Sequence, residues 1–114
     1  MLSVWEPVLD DLDDRKRKMA TGFSGGVGRS LRDQCEAFTA GIMIIDALYG
    51  RTRLEEDEDQ CMMMANNYRD RFVQRLGSVY CYKLREERYG SHNQGPCSVL
   101  VIRAANVLLG ILVG

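Results

Sequence analysis

The stretch TGFSGGVGRSLRDQCEAFTAGIMIIDALYG, residues 21–50, decides how the rest of the chain can fold. It joins a glycine-rich loop directly to the most apolar helical segment of the sequence. Ser30 is a residue type that caps helices, and Asp33 would place a carboxylate beside the free amides of the first helical turn. Gly50 is a natural helix end. The sequence therefore predicts a central helix over about 30–49.

The apolar residues of this predicted helix recur at steps of three and four, which places them on one helical face. They are Leu31, Cys35, Phe38, Ile42, Ile45 and Tyr49. No charged residue occurs between Ala37 and Ile45, as in a helix that protein covers on most sides. Cys35 is therefore expected on the buried stripe, near its polar end.

Helical periodicity also occurs on both sides of this segment. It spans residues 5–19, 61–76 and 97–113, with a short helix expected from Ser78, after Gly77. The charged segment RTRLEEDEDQ reads as a linker or an exposed helix start. Strand-type alternation is not convincing anywhere. These patterns predict an all-α fold, a compact bundle of four to five helices around the central helix, in one domain over 1–114.

Composition narrows the class of function. The net charge is −1 and basic residues form only short runs, so the electrostatic footprint of a dedicated nucleic-acid binder is missing. The first residues lack the pattern of a signal peptide, and no uncharged apolar run approaches the ~20 residues that span a bilayer. We therefore expect a cytoplasmic protein without membrane insertion. In that compartment, cysteines are more often free, metal-bound or redox-active than disulfide-bonded.

Three of the four cysteines lie near predicted helix starts. Cys97 follows Gly95 and Pro96, which read as helix cap and first helical residue, and a helix start favours the reactive thiolate. Cys35 and Cys81 are also close to helix starts. Each thiol taken alone is more often an inert core residue. We predict Cys35, Cys81 and Cys97 as redox thiols or, alternatively, as ligands of a metal ion or iron–sulfur cluster.

The glycine-rich loop is a weaker candidate site. The backbone amides of Gly25, Gly26, Gly28 and Ser30 could bind an anionic group of a cofactor. The loop lacks the lysine of a phosphate-binding P-loop and the preceding strand of a dinucleotide fold. Tight turning is the alternative interpretation. The lone histidine, His92, lies in a polar loop and is expected at the surface.

The spacing of these pieces resembles a known family of small proteins, named C_GCAxxG_C_C for its spaced cysteines, to which redox activity is attributed. The matching pieces are ATGFSGGVGRS at 20–30, CEAFTAGIMIIDALYGR at 35–51, RLGSVYC at 75–81, PC at 96–97 and VIRAANVLLGIL at 101–112. The resemblance implies an all-helical cytoplasmic protein with thiol redox or metal-cluster chemistry. It also implies genes that often neighbour transporter genes, and no assigned reaction.

The sequence departs from the family pattern in two respects. Glu36 and Ala40 stand where the motif has glycine, with Gly41 one place late. No cysteine precedes Cys35, so the family's first cysteine has no counterpart, and Cys61 does not occupy that location. The resemblance therefore transfers redox roles to Cys35, Cys81 and Cys97 and leaves Cys61 as an additional cysteine.

Two functional hypotheses follow. The first is a thiol-based redox or metal-binding protein in which the three cysteines converge and exchange electrons with a partner. The second is a non-catalytic helical interaction module, either a homodimer or an accessory to a transporter. The second hypothesis rests on the apolar segment 35–49 and on Met62, Met63 and Met64. One short chain has few other residues that could bury so much apolar surface.

Overall fold

The computed structural model of the protein describes residues 14–87 and 97–113, without the side chains of residues 16–17, 86–87 and 97–98. The described chain is mostly helical and has no strand, which confirms the predicted all-α class. Its helices are α1 (Asp14–Lys18), a 3-10 helix (Thr21–Phe23), α2 (Glu36–Tyr49), α3 (Asp59–Leu76), α4 (Cys81–Glu87) and α5 (Cys97–Val113).

The core lies where α2, α3 and α5 pack against one another. Phe38 of α2 stacks on Tyr68 of α3 with ring centroids 5.4 Å apart. Phe72 meets Phe38 edge-on at 5.2 Å. The Tyr68 hydroxyl donates a hydrogen bond of 3.1 Å to the carbonyl oxygen of Ala37, so its polar atom is satisfied inside the core. The predicted stripes of residues 35–49 and 61–76 therefore face each other.

Gly41 makes this packing possible. A Cβ atom at this position would overlap the phenol oxygen and ring of Tyr68. Gly41 follows the glycine position of the family motif by one residue. Its role is structural, because it lets the ring of Tyr68 from α3 pack against the backbone of α2.

The predicted start of the central helix at Ser30 is wrong. Residues 25–29 and Leu31 all have positive φ angles, a left-handed path that cannot continue into a right-handed helix. The Ser30 hydroxyl donates to the carbonyl of Gly26 at 2.7 Å and so closes the loop. The helix begins at Glu36, with Cys35 as its N-cap in an extended conformation. Cys35 is thus the boundary residue and does not lie inside the helix.

The predicted start of the short helix at Ser78 is also wrong, because α4 begins at Cys81. The Ser78 hydroxyl instead accepts a hydrogen bond of 3.1 Å from the amide of Tyr80, which holds the preceding turn. The predicted ends of α2 and α3 are confirmed: Gly50 donates its amide to Asp46 and Gly77, with φ of 98°, donates its amide to Val73.

Other predictions fall on parts of the chain that are not described. The apolar residues proposed for the first helix before Asp14, the loop histidine His92 and the Gly95–Pro96 cap lie outside the described residues. Within the described ranges, no helix has both the length and the apolar character that crossing a membrane requires.

Candidate thiol site

Cys35 and Cys81 lie on two segments that a short antiparallel contact holds together. Gln34 and Tyr80 form an isolated bridge. On either side of it, the amide of Cys35 donates to the carbonyl of Val79 at 2.7 Å, and the amide of Cys81 donates to Asp33 at 3.0 Å. Each segment then enters a helix, so the same contact fixes the starts of α2 and α4.

The register of this bridge places the two cysteines on one side of the paired backbone. Cys35 is opposite Val79, and Cys81 is two residues further along, which makes the two cysteines diagonal neighbours. Such positions are about 7–8 Å apart in paired strands, with Cβ atoms somewhat closer. A disulfide needs Cα atoms within about 7 Å, so diagonal neighbours lie at the upper limit for a disulfide.

Both cysteines line one cavity of about 150 Å³, here called the thiol cavity. Each is 8% exposed, so the thiols are largely shielded from water but reachable from the cavity. Its other lining residues include Gly25 of the loop, Glu36 at the start of α2, Arg85 of α4 and Val101 of α5. Two thiols, one carboxylate and one guanidinium therefore share a small space.

The glycine loop (residues 22–31) forms a wall directly against Cys81. A Cβ atom on Gly26 would lie 2.8 Å from the Cβ of Cys81, closer than side chains approach one another. Gly26 also has a φ angle of 69°, which other residues resist. Glycine is therefore required at this position for both reasons, and the bare backbone lets the loop cover the thiol.

Several amides of the glycine loop donate hydrogen bonds to carbonyl oxygens of the same loop. The amide of Gly28 donates to Gly22 at 2.8 Å, and the amide of Ser30 donates to Val27 at 3.1 Å. The predicted cofactor-binding role of Gly25, Gly26, Gly28 and Ser30 stays a prediction. The loop contributes the backbone of Gly25 to the lining of the thiol cavity, and the backbone of Gly26 lies against Cys81.

Cys61 occupies a different part of the molecule. Its thiol donates a hydrogen bond of 3.3 Å to the carboxylate of Asp46, near the end of α2, and it lines a separate cavity. Asp46 lies eleven positions after Cys35, which is about 16 Å along the helix axis. Burial raises the pKa of the Cys61 thiol, and the hydrogen bond and negative charge of Asp46 raise it further. This thiol is held in its protonated, less reactive form.

The predicted final helix over 97–113 is confirmed as α5, and Cys97 is its first described residue. Leu100 and Val101, about one turn further along the same helix, line the thiol cavity. The backbone of α5 therefore starts beside this cavity. The side chain of Cys97 is not among those described, so its convergence with Cys35 and Cys81 stays a prediction.

The donor set limits what metal group the thiols can hold. Iron–sulfur clusters usually require four cysteine ligands. The chain has four cysteines, but Cys61 is bound to Asp46 at the far end of α2, so one chain does not supply four thiolates to one cluster. Among the described side chains, no three histidine, cysteine or acidic residues gather as metal ligands. A site using Cys97 as a third thiolate lies beyond that set.

Two residues near the thiols are not among the predicted site residues. Arg85 is four residues after Cys81 and so shares its helical face, a spacing that was readable once α4 was assumed. Tyr68 could not have been found, because it is 33 residues from Cys35 in sequence. Burial raises the pKa of its phenol, and negative charge on Cys35 adds to that effect. Tyr68 therefore stays protonated beneath the site.

The arrangement defines a class: a small all-α protein with two buried thiols from separate segments at one cavity, covered by a glycine loop. The family model described as "Putative redox-active protein (C_GCAxxG_C_C)" matches residues 2–111, and the chain belongs to that family. Comparison with curated proteins and with solved structures gave no match.

Proposed function

We propose that the protein is a thiol–disulfide redox protein in which Cys35 and Cys81 form the reactive pair. The observation that carries this proposal is the thiol cavity, which both residues line although 46 sequence positions separate them. Membership of a redox-active family supports the same chemistry. Cys97, at the start of α5 beside the cavity, is proposed as a third thiol of this site. The cytoplasm, a reducing compartment, suits free thiols of this kind.

Cys35 is the better nucleophile of the pair. It caps α2, a helix of 14 residues, and the positive end of that helix favours negative charge on the thiol. Cys81 begins α4 and lies directly against the glycine loop, in contact range of Gly26. Arg85 adds a positive charge to the cavity, which further favours a thiolate there.

The proposed reaction transfers two electrons to a disulfide of a partner protein. The Cys35 thiolate attacks one sulfur of that disulfide, forms a mixed disulfide and releases the partner's other thiolate, which takes a proton from water. The Cys81 thiolate then attacks the Cys35 sulfur, which forms the Cys35–Cys81 disulfide and releases the partner's second thiol. A dithiol reductant returns the pair to its reduced state. Each step is a reversible thiol–disulfide exchange, in which one disulfide bond breaks for each one that forms.

The test counts thiols before and after oxidation. The fully reduced protein is treated with diamide, which oxidises two thiols to a disulfide and is itself reduced to a hydrazine, and is then quenched with acid, unfolded and titrated for free thiols. The wild type is expected to fall from its four thiols to two. Cys61→Ser is the matched control and should also lose two thiols, because Cys61 is outside the site. Cys97→Ser retains the pair and should lose two as well, whereas Cys35→Ser and Cys81→Ser, each combined with Cys97→Ser, should lose none.

Two results would refute this assignment. One is a wild type that retains all its thiols under conditions that oxidise ordinary dithiol proteins. The other is a Cys35→Ser/Cys97→Ser or Cys81→Ser/Cys97→Ser variant that still loses two thiols, since a pair that includes Cys61 would then carry the chemistry.

Metal binding by the same thiols is the second candidate, favoured by the start of α5 at Cys97 beside the cavity. Three thiolates suit zinc or a similar soft cation and leave one position for another ligand. Metal content is measured on protein purified without oxygen. Equimolar metal that persists in Cys61→Ser and disappears in Cys81→Ser would support this function. A wild type that contains no metal and forms the disulfide would exclude the metal-binding function and retain only the redox function.

A further inference from the structure

The outer face of α5 has no partner within the described chain, although the helix is apolar all round. Among its 17 residues only Arg103 is charged. One face packs into the core through Leu100, Ala104, Val107 and Leu108, all nearly fully buried. A helix that is apolar on every side is normally covered on every side. In α5 the opposite face remains open to solvent.

The exposed side chains of this face follow a heptad pattern. They are Val99, Ile102, Asn106, Leu109 and Val113, with successive spacings of three, four, three and four residues. Ile102 is 62% exposed and Val113 is 86% exposed. In heptad terms Val99, Asn106 and Val113 occupy the a positions, and Ile102 and Leu109 the d positions. We call this face the α5 seam.

We propose that the α5 seam is a self-association surface, which pairs α5 with α5 of a second copy of this chain. β-Branched residues at a, here Val99 and Val113, with leucine at d, here Leu109, are the combination found in parallel helix pairs. A single asparagine at an a position, here Asn106, pairs with its own copy across the two-fold axis and fixes the register. Binding of an unrelated protein would not require residues that pair with their own copies across a two-fold axis.

The residues beside the seam are compatible with a second copy. In a parallel pair, the e edge of one helix faces the g edge of the other. The e edge here carries Arg103 and Gly110, with Arg71 of α3 lying close to Gly110. The g edge carries Ala105 and Leu112, which are uncharged. The arginines of the two copies therefore do not face each other, and the small residues permit close approach.

The size of the seam sets the strength of the association. From Val99 to Val113 the helix rises about 21 Å, and a helix is about 10 Å wide. That strip is smaller than the roughly 800 Å² that each partner contributes to a stable interface. We therefore expect a weak dimer, with a dissociation constant in the micromolar range. This inference is independent of the proposed thiol chemistry.

The test is sedimentation equilibrium of the reduced full chain over roughly 5 to 500 μM, which brackets a micromolar dissociation constant. The wild-type mass should rise from 12.9 kDa toward twice that value. Ile102→Glu should weaken association at least about tenfold, because it places like charges of the two copies against each other at a d position of the seam. Leu54→Glu is the matched control, since Leu54 is 82% exposed outside α5, and it should associate as the wild type does. Circular dichroism verifies that both variants remain folded.

Asn106→Val provides an independent readout that a folding defect would not mimic. Removing the polar group from an a position should strengthen association about tenfold. A wild type that stays monomeric over the whole range overturns the proposal, as does an Asn106→Val variant with unchanged or weaker association. Binding of monomeric wild type to vesicles of phosphatidylcholine and phosphatidylglycerol, abolished by Ile102→Glu, would also overturn it and assign the face to a lipid surface.

Discussion

Replacing Gly26 by alanine tests the contact between the glycine loop and the thiol site. Alanine at a φ angle of 69° costs about 1–2 kcal/mol because its Cβ resists the left-handed conformation. The new Cβ would also lie 2.8 Å from the Cβ of Cys81 and 3.1 Å from the carbonyl oxygen of Asp33. Overpacking of this kind costs a further 1–3 kcal/mol, roughly. We expect Gly26→Ala to lower the free energy of unfolding by about 2–5 kcal/mol.

Gly28→Ala is the matched control within the same loop. Gly28 has a φ angle of 62°, but no atom lies within 4 Å of the position that its Cβ would take. This variant carries the conformational cost alone, so the difference between the two variants isolates the contact with the site at about 1–3 kcal/mol. Urea unfolding followed by circular dichroism measures both values.

The two glycine variants also provide the refutation. Equal losses of stability in Gly26→Ala and Gly28→Ala would show that the loop does not press on Cys81. A second check is the Cys81→Gly background, which removes the opposing Cβ. There, Gly26→Ala should cost less than it does in the wild type, and an unchanged cost would contradict the proposed contact.

Three further predictions follow from the packing and the separate thiol. Gly41→Ala should destabilise the fold by about 3 kcal/mol or more in urea unfolding, because the methyl group overlaps Tyr68; a near-neutral result would contradict that packing. Tyr68→Phe should cost about 0.5–1.5 kcal/mol, since the buried hydrogen bond from the phenol to the carbonyl of Ala37 is lost, and a stability equal to wild type would refute this. Native Cys61 should be alkylated slowly at pH 8 and faster only as the pH rises beyond the ordinary thiol value of 9.0, because its pKa is raised. Asp46→Asn should lower that pKa and speed the alkylation, which mass spectrometry measures. Wild-type Cys61 that is alkylated as fast as a free cysteine would contradict the raised pKa.

The long helices were predictable because their periodicity is strong. Tyr68, Phe72 and Leu76 recur at steps of four and are all buried in α3. The ends at Gly50 and Gly77 were also readable, because glycine is the common helix terminator. The start of α2 was not. Val27 and Arg29 adopt positive φ angles although they are not glycines, and no local rule predicts a left-handed run through such residues.

The candidate site was predictable only in part. The family resemblance selected Cys35 and Cys81, but the bridge between Gln34 and Tyr80 that joins their segments is a long-range pairing. Local sequence does not encode such a pairing. The same is true of Cys61, whose separation from the site depends on α3 packing its beginning against the end of α2.

The central claim is that Cys35 and Cys81 act as one redox pair, and disulfide mapping tests it most directly. The reduced protein is oxidised with a small disulfide, trapped with iodoacetamide, digested and examined by mass spectrometry. The account predicts one dominant cross-linked peptide that joins Cys35 to Cys81, with Cys61 alkylated only after unfolding. A dominant cross-link that includes Cys61, or the absence of any peptide joining Cys35 to Cys81, would contradict it.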